Sequence, residues 1–337
     1  SDIWKWIGVM GVSAGVLILS YYSVIAGWTI TYIPKAFLGE FVGTDAISIS
    51  KLFDDFVANP VSVILAHTIF MAINYFIIAS GVKGLEKAVR FLMPGLLLLL
   101  FILFIYSLTS GSFMDGVKFM FTPNFNALNW DGVLTAMGLA CFTLSIGMGA
   151  IMAYGAYLPQ ETSITNATVS VVIADTGIAM LAGLVIFPLV FANGLNPGEG
   201  PDLVFKTLPL VFGQMQVGTF LATIFFVLLS FAALTSALGL MEPAVAWMIE
   251  STEYTRKQCA ATIASIIWFL GLGSALSFNT MADFKFLNGT IYENVDFLTS
   301  NIMLPLGAVF TTFFAAWIMS KNSTSEELGG HGATYRI

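Results

Sequence analysis

The sequence predicts an all-α membrane protein of several spans, and three observations lead there. Of its 337 residues 57% are hydrophobic, only 10% are charged, and the apolar residues fall in long runs. A soluble domain carries about 25% charged residues, so this chain has too little polar surface for water. The runs reach roughly 20 residues or more, the length that crosses about 30 Å of hydrocarbon. One helical bundle follows, with eight predicted spans at 4–34, 60–81, 89–110, 130–157, 167–192, 215–248, 259–278 and 292–319.

The first span carries Tyr21-Tyr22 between Ser20 and Ser23, with Ile18 one turn before Tyr22 on the same helix face. An inward phenol there is able to donate to a carboxylate. The other reading, an interfacial aromatic, suits a less central position. In the second span His67 stands alone among apolar residues and reads as packed rather than as a proton relay.

The fourth span is the most informative. Cys141-Phe142-Thr143-Leu144-Ser145-Ile146-Gly147-Met148-Gly149-Ala150 places two hydroxyls and two glycines in mid-span. Glycine lacks a Cβ and Ser145 is able to bond back to its own helix, so the backbone there can unwind and offer carbonyls and amides to a ligand. Broken helices of this kind bind substrates near the bilayer midplane. The alternative is a small-residue face that lets two helices approach closely.

Asp175 lies about nine residues into the fifth apolar run, roughly 13 Å along a helix. An acid at that depth costs at least ~2.5 kcal/mol on insertion scales, so it marks an ion or substrate path or a helix-to-helix hydrogen bond. The sixth span holds Ala232-Ala233-Leu234-Thr235-Ser236-Ala237-Leu238-Gly239, whose hydroxyls suit a small hard cation or bond back to their own carbonyls. Glu250 ends that span. Glu293 and Asp296 open the eighth, as a solvated helix end or as a charge gate.

Running the first span outward leaves Lys5, Lys83, Lys87, Arg90, Arg256, Lys257, Lys321 and Arg336 inside, in short segments. Lys35, Lys51, Lys118, Lys206 and Lys285 lie outside over longer ones, the asymmetry that orients membrane proteins. The long outer segments 36–58 and 193–214 read as connectors or as a lid over an access path. A net charge of −7 spread over loops and ends indicates no nucleic-acid partner. Cys141 and Cys259 fall in different spans and lack metal-ligand spacing, so they read as unpaired thiols. Nothing suggests a nucleophile–base pair, a phosphate loop or a metal cage, so the chain does not read as an enzyme.

Together these residues resemble the neurotransmitter:sodium symporter family, in particular its bacterial amino-acid branch typified by the bacterial leucine transporter. Ser20-Tyr21-Tyr22-Ser23-Val24-Ile25-Ala26-Gly27-Trp28 is similar to the third helix of that family. Phe142-Thr143-Leu144-Ser145-Ile146-Gly147-Met148-Gly149 is similar to its unwound sixth helix, and Leu234-Thr235-Ser236 with Met241-Glu242-Pro243 to its eighth. The resemblance covers nearly the whole chain.

It implies an inverted-repeat (5+5) leucine-transporter-like bundle, represented by helices three to ten in one transmembrane domain. The segment that begins Ser1-Asp2-Ile3 then reads as part of a longer protein whose first helix supplies half of the substrate site. The implied function is sodium-coupled symport of an amino acid by alternating access, in the plasma (inner) membrane. Tyr22 would bind the substrate carboxylate, while Ile18, Phe142, Ser145, Met148, Ser236 and Leu240 would line the side-chain pocket. Thr143 and Asp175 would hold one sodium ion, and Ala232, Thr235 and Ser236 a second.

The resemblance also makes Asp296 the acid of an outer gate and pairs Tyr157 with Glu250 at an inner one. An acid at Asp175, where many members have Asn, argues against a chloride requirement. Met148 stands where Phe is common, and its flexible thioether suits large hydrophobic or aromatic side chains. Alternatives are a non-transporting amino-acid sensor on the same fold, or a proton-coupled or osmolyte transporter. The implied partners are a small amino acid and the lipid bilayer; no oligomeric state follows.

Overall fold

The computed structural model describes residues 4–320 and 324, apart from 110, 157, 160, 161, 196–199 and 288. Helix α1 (Lys5–Phe37) has 33 residues, about 50 Å at the α-helical rise, so it passes through the hydrocarbon and projects beyond it. Beyond its outer end, α2 (Ala46–Ala58) starts where the Asp45 carboxylate accepts the Ser48 amide at 3.2 Å. This cap satisfies a donor that every helix start leaves orphaned. In α3 (Pro60–Ala79), Asn59 accepts the amides of Val61 and Ser62 at 3.0 and 3.2 Å, and Pro60 takes the first turn.

Helices α4 (Val82–Leu108) and α5 (Phe113–Phe121) lead to α6 (Trp130–Thr143) and α7 (Ala150–Gly155), the two halves of the predicted fourth span. After α8 (Ile164–Ala192) come three short helical pieces, Gly200–Asp202, Leu203–Thr207 and Leu208–Gly213. Then follow α9 (Gly218–Ser251) and α10 (Arg256–Leu276), the latter opened by a reciprocal cap between Thr255 and Gln258. Helix α11 (Ile291–Asp296) passes through the π-turn Phe297–Met303 into α12 (Leu304–Phe313). Among the described residues there is no strand, only the single bridge Phe286–Gly289.

Among the described residues, seven helical runs are long and apolar enough to cross a membrane. The predicted fourth span, 130–157, is not among them because it is interrupted between α6 and α7. Helices α1 and α9 form the centre: 56% of the apolar window of each is buried, against 6% for α8. They pack along each other, and Thr29 and Ser230 tie them by a hydroxyl hydrogen bond of 2.8 Å. Hydroxyl pairs of this kind hold helices together where no hydrophobic drive separates protein from lipid.

The core divides in two along the bundle. At the end beside α2, Trp28 packs edge-on against Phe53, Phe205 and Phe278, and Tyr32 packs edge-on against Phe205 and tilted against Phe226. Deeper in, Ile18, Met148, Leu240 and Met241 share one buried cluster with Cys141 and Cys259, both free thiols. His67 is buried where α3 meets α10, its Nε2 3.2 Å from the Trp268 carbonyl oxygen. The packed reading of this histidine matches that environment.

Candidate functional site

The predicted break in the fourth span is a real interruption with a defined cause. Helix α6 ends in a double reverse bond: the Ile146 amide reaches back to the Cys141 carbonyl at 2.8 Å, and the Ser145 amide to Phe142 at 3.1 Å. This Schellman pattern needs a left-handed residue after the helix, ordinarily glycine. Here it is Ser145, at φ 55°, followed by Gly147 at 85° and Gly149 at 79°. A non-glycine residue in that region costs on the order of 1–3 kcal/mol, strain typical of ligand-binding segments. Ser145 thus bonds back to its own helix through its amide.

Between the half-helices, the amides of Gly147, Met148 and Gly149 donate to no backbone carbonyl among the described residues. Gly149 packs against Gly11 of α1, and Gly147 against Leu304 and Gly307.

The break forms one wall of a cavity of about 340 Å³, within the range of small-molecule sites. Phe142, Thr143, Ser145 and Met148 come from the broken helix, Tyr22 from α1, and Thr235, Ser236 and Leu240 from α9. Asp175 of α8 completes it, half-buried, as the one carboxylate in the lining. Apolar Phe142, Met148 and Leu240 thus share the lining with hydroxyls and a single acid. Tyr154 of α7 also lines it, a residue the sequence reading passed over. Its signal was a phenol one turn from Ala150 on the same helix face.

A second cavity of about 390 Å³ adjoins the first, and Tyr22 and Ser236 belong to both. The Tyr22 phenol faces the Ser236 hydroxyl at this junction. Ala232 lines the second cavity, and its carbonyl accepts the Thr235 hydroxyl at 2.9 Å. Thr143 is turned towards its own Ala140 carbonyl at 3.4 Å. Ile18 differs from the others: it is fully buried, packs in the cluster that holds Met148 and Leu240, and lines neither cavity.

The predicted gate residues are dispersed. Asp296 accepts the Ser300 hydroxyl at 2.9 Å and stands beside Tyr21 and Tyr292, two rings 5.7 Å apart that border the second cavity. Glu293 instead caps α11, accepting the Thr290 amide at 2.7 Å. Glu250 is exposed at the far end of α9, and Tyr157 lies outside the described residues. Two charged groupings escaped the sequence reading: the pair of Glu242 with Arg256, and Lys206 with Asp54 and Asp202. Glu242 with Arg256 and Lys206 with Asp54 join separate elements, which no local pattern reveals; only Asp202 lies near its partner, four positions before Lys206.

No three His, Cys, Asp or Glu side chains converge among the described residues. The donors on offer are hydroxyls, a carbonyl and the Asp175 carboxylate, an all-oxygen set suited to a hard cation rather than to zinc.

Comparison with known proteins places this geometry. A profile of the sodium:neurotransmitter symporter family matches residues 38–328. An uncharacterized sodium-dependent transporter of Bacillus subtilis, YhdH, is 37% identical over 326 residues, covering 96% of this chain and 72% of the relative. One from Haemophilus influenzae is 32% identical, covering 97% and 73%. Among solved structures, the crystal structure of MhsT in complex with L-phenylalanine superposes with a TM-score of 0.90 at 41% identity, covering 97% of this chain and 75% of that one.

Proposed function

Since the chain belongs to the sodium:neurotransmitter symporter family, we propose that it carries an amino acid with a large hydrophobic or aromatic side chain into the cell, driven by sodium. Its relatives are transporters rather than enzymes, and it is a multi-pass membrane protein of the leucine-transporter-like fold. The membrane concerned is the plasma, or inner, membrane.

The observation that carries the substrate reading is the lining of the inner cavity, where apolar side chains share the surface with hydroxyls from three helices and one acid. Tyr22 donates its phenol to the substrate carboxylate. Phe142, Met148 and Leu240 surround the substrate side chain, with Ser145 and Ser236 beside it. Ile18 supports Met148 and Leu240 from behind.

Sodium is a co-transported substrate in this reading. Thr143 and Asp175 hold one ion, the carboxylate supplying the charge that offsets it; the Ala232 carbonyl with Thr235 and Ser236 holds the other. Both threonines have only to release their own-helix acceptors to turn towards an ion, a side-chain rotation with a small cost. Asp296 at the outer cavity and Glu250 with Tyr157 at the far end serve as gates that open alternately.

The test is uptake of labelled L-phenylalanine and L-leucine by the purified protein in proteoliposomes, with and without a sodium gradient. Sodium-driven uptake is expected, abolished by Asp175→Ala and weakened by Tyr22→Phe. Binding that ignores sodium and survives Asp175→Ala would instead mark an amino-acid sensor. MhsT, crystallised with L-phenylalanine, supports the choice of substrates.

A further inference from the structure

The segment after α8 forms one side, the roof, of the second cavity. Gly200, Pro201, Val204 and Phe205 line it, and Phe205 is 1% exposed. The roof ends in the π-turn Leu203–Thr207. There Phe205 turns inward while its neighbour Lys206 turns towards α2. The Lys206 ammonium lies 2.9 Å from an Asp54 carboxylate oxygen, 3.3 Å from one of Asp202, and 5.3 Å from the Phe53 ring centroid. One residue back, Phe205 stacks on the same Phe53 ring at 5.4 Å and 1° between planes. Adjacent roof residues therefore grip one turn of α2, the first by ring stacking and the second by charge.

The two grips differ in kind. Stacking of buried rings is indifferent to salt, whereas Lys206 and Asp54 are 25% and 57% exposed, so water and ions screen their attraction. A pair of this exposure biases a two-state element by roughly twofold to fivefold and does not lock it. Asp202 lies on the roof itself, one turn before Lys206. It orients the ammonium, and Asp54 is the partner that crosses to α2.

We infer that Lys206 is a positioning residue for the roof: its tie to Asp54 latches residues 200–207 to α2 and holds the outer cavity closed above Tyr22. The role assigned to the latch, admission of substrate, rests on the transport function proposed above; its test does not. The cavity opens when α2 and the roof separate, and the ionic tie sets how often they do so. Charge exchange across the pair preserves the latch, and loss of either charge weakens it.

A cysteine placed in the roof reads this directly. Val204→Cys, in an otherwise native chain whose two cysteines are buried, is labelled with a membrane-impermeant maleimide in sealed proteoliposomes at fixed sodium. Labelling is expected to be slow in this parent and faster by about twofold or more when Lys206→Glu or Lys206→Gln is added. It returns to the parent rate when Asp54→Lys is combined with Lys206→Glu. Raising choline chloride accelerates the parent but not the Lys206→Gln variant.

Equal rates in all variants overturn the latch, as does a double variant that stays fast. Gel-filtration and melting profiles matching the parent confirm that the variants are folded. If phenylalanine and leucine uptake were absent while the rates shifted as described, the transport reading would fall and the latch would stand.

Discussion

Arg256, at the first turn of α10, donates to Glu242 in the middle of α9 at 2.5 Å, and the Glu242 side chain is 1% exposed. The same guanidinium donates through Nε to the Ile78 carbonyl at 2.9 Å, at the end of α3. One cation thereby pairs with a buried carboxylate and adds a donor to a helix-end carbonyl that also accepts the Gly81 amide at 3.1 Å, joining three helices. Arg256 is 21% exposed, so part of its charge stays hydrated. Arg256→Met leaves the acid buried without its guanidinium partner, which costs about 3 kcal/mol or more. The expected outcome is a large drop in melting temperature in detergent, partly restored by adding Glu242→Leu, because an apolar pair of similar volume carries no desolvation penalty.

Gly147 combines a φ of 85° with an approach to α12 so close that an added Cβ would lie 2.6 Å from the Leu304 carbonyl oxygen. Gly147→Ala meets both penalties and is expected to destabilise by about 2 kcal/mol or more. Gly8→Ala, at a helical site with nothing within 4 Å of the new Cβ, is expected to be neutral or slightly stabilising. Melting curves of the two variants check the contrast, and equal effects would contradict it.

His67 is a packing residue here, and two variants separate that role from proton transfer. A Cβ at Gly271 would fall 2.6 Å from His67 Nε2 and 2.7 Å from the Ser20 carbonyl oxygen, so Gly271→Ala is expected to force α10 away from α1 and α3 and lower the melting temperature. His67→Asn removes the titrating ring, yet the pH profile of uptake should keep its shape. A profile that shifts in His67→Asn would show a proton-handling histidine.

At the start of α2 the Ser48 side chain and amide hold the Asp45 carboxyl below its ordinary 3.8. A lowered folded pKa means the cap contributes fully above the ordinary value and loses that contribution as pH falls through the lowered one. Hydrogen exchange of the α2 amides should be faster in Asp45→Ala than in the parent at neutral pH. The difference should close in strong acid, where both lack a charged cap.

Met148 is 2% exposed and lines the inner cavity. Met148→Phe adds a rigid ring where a flexible thioether stood, and uptake competition should shift from aromatic towards smaller aliphatic amino acids by on the order of tenfold. An unchanged preference would remove Met148 from the substrate wall.

Read by itself, the sequence determined the class of protein and the places where the chain departs from plain hydrophobicity. Runs of apolar residues mark the spans because a helix must cover a fixed thickness of hydrocarbon. Tyr22, the stretch from Phe142 to Gly149, Asp175 and the Thr235–Ser236 pair stand out because polar and glycine residues are costly inside such runs. Their membership of one family could be read from the same residues. These signals are local, carried by neighbours in the chain.

The tertiary structure decided which of them meet. It brings α1, α6, α8 and α9 around one cavity, sets Ile18 behind the wall, makes Glu293 a helix cap, and puts Asp296 beside Tyr21 and Tyr292. It also joins Arg256 to Glu242 and Lys206 to Asp54, across 14 and 152 positions of sequence. Such pairings depend on which helix faces approach closely enough for backbone to touch backbone, as at Gly147 and Leu304. The packing of whole helices sets that approach, and no hydropathy pattern along a single span encodes it.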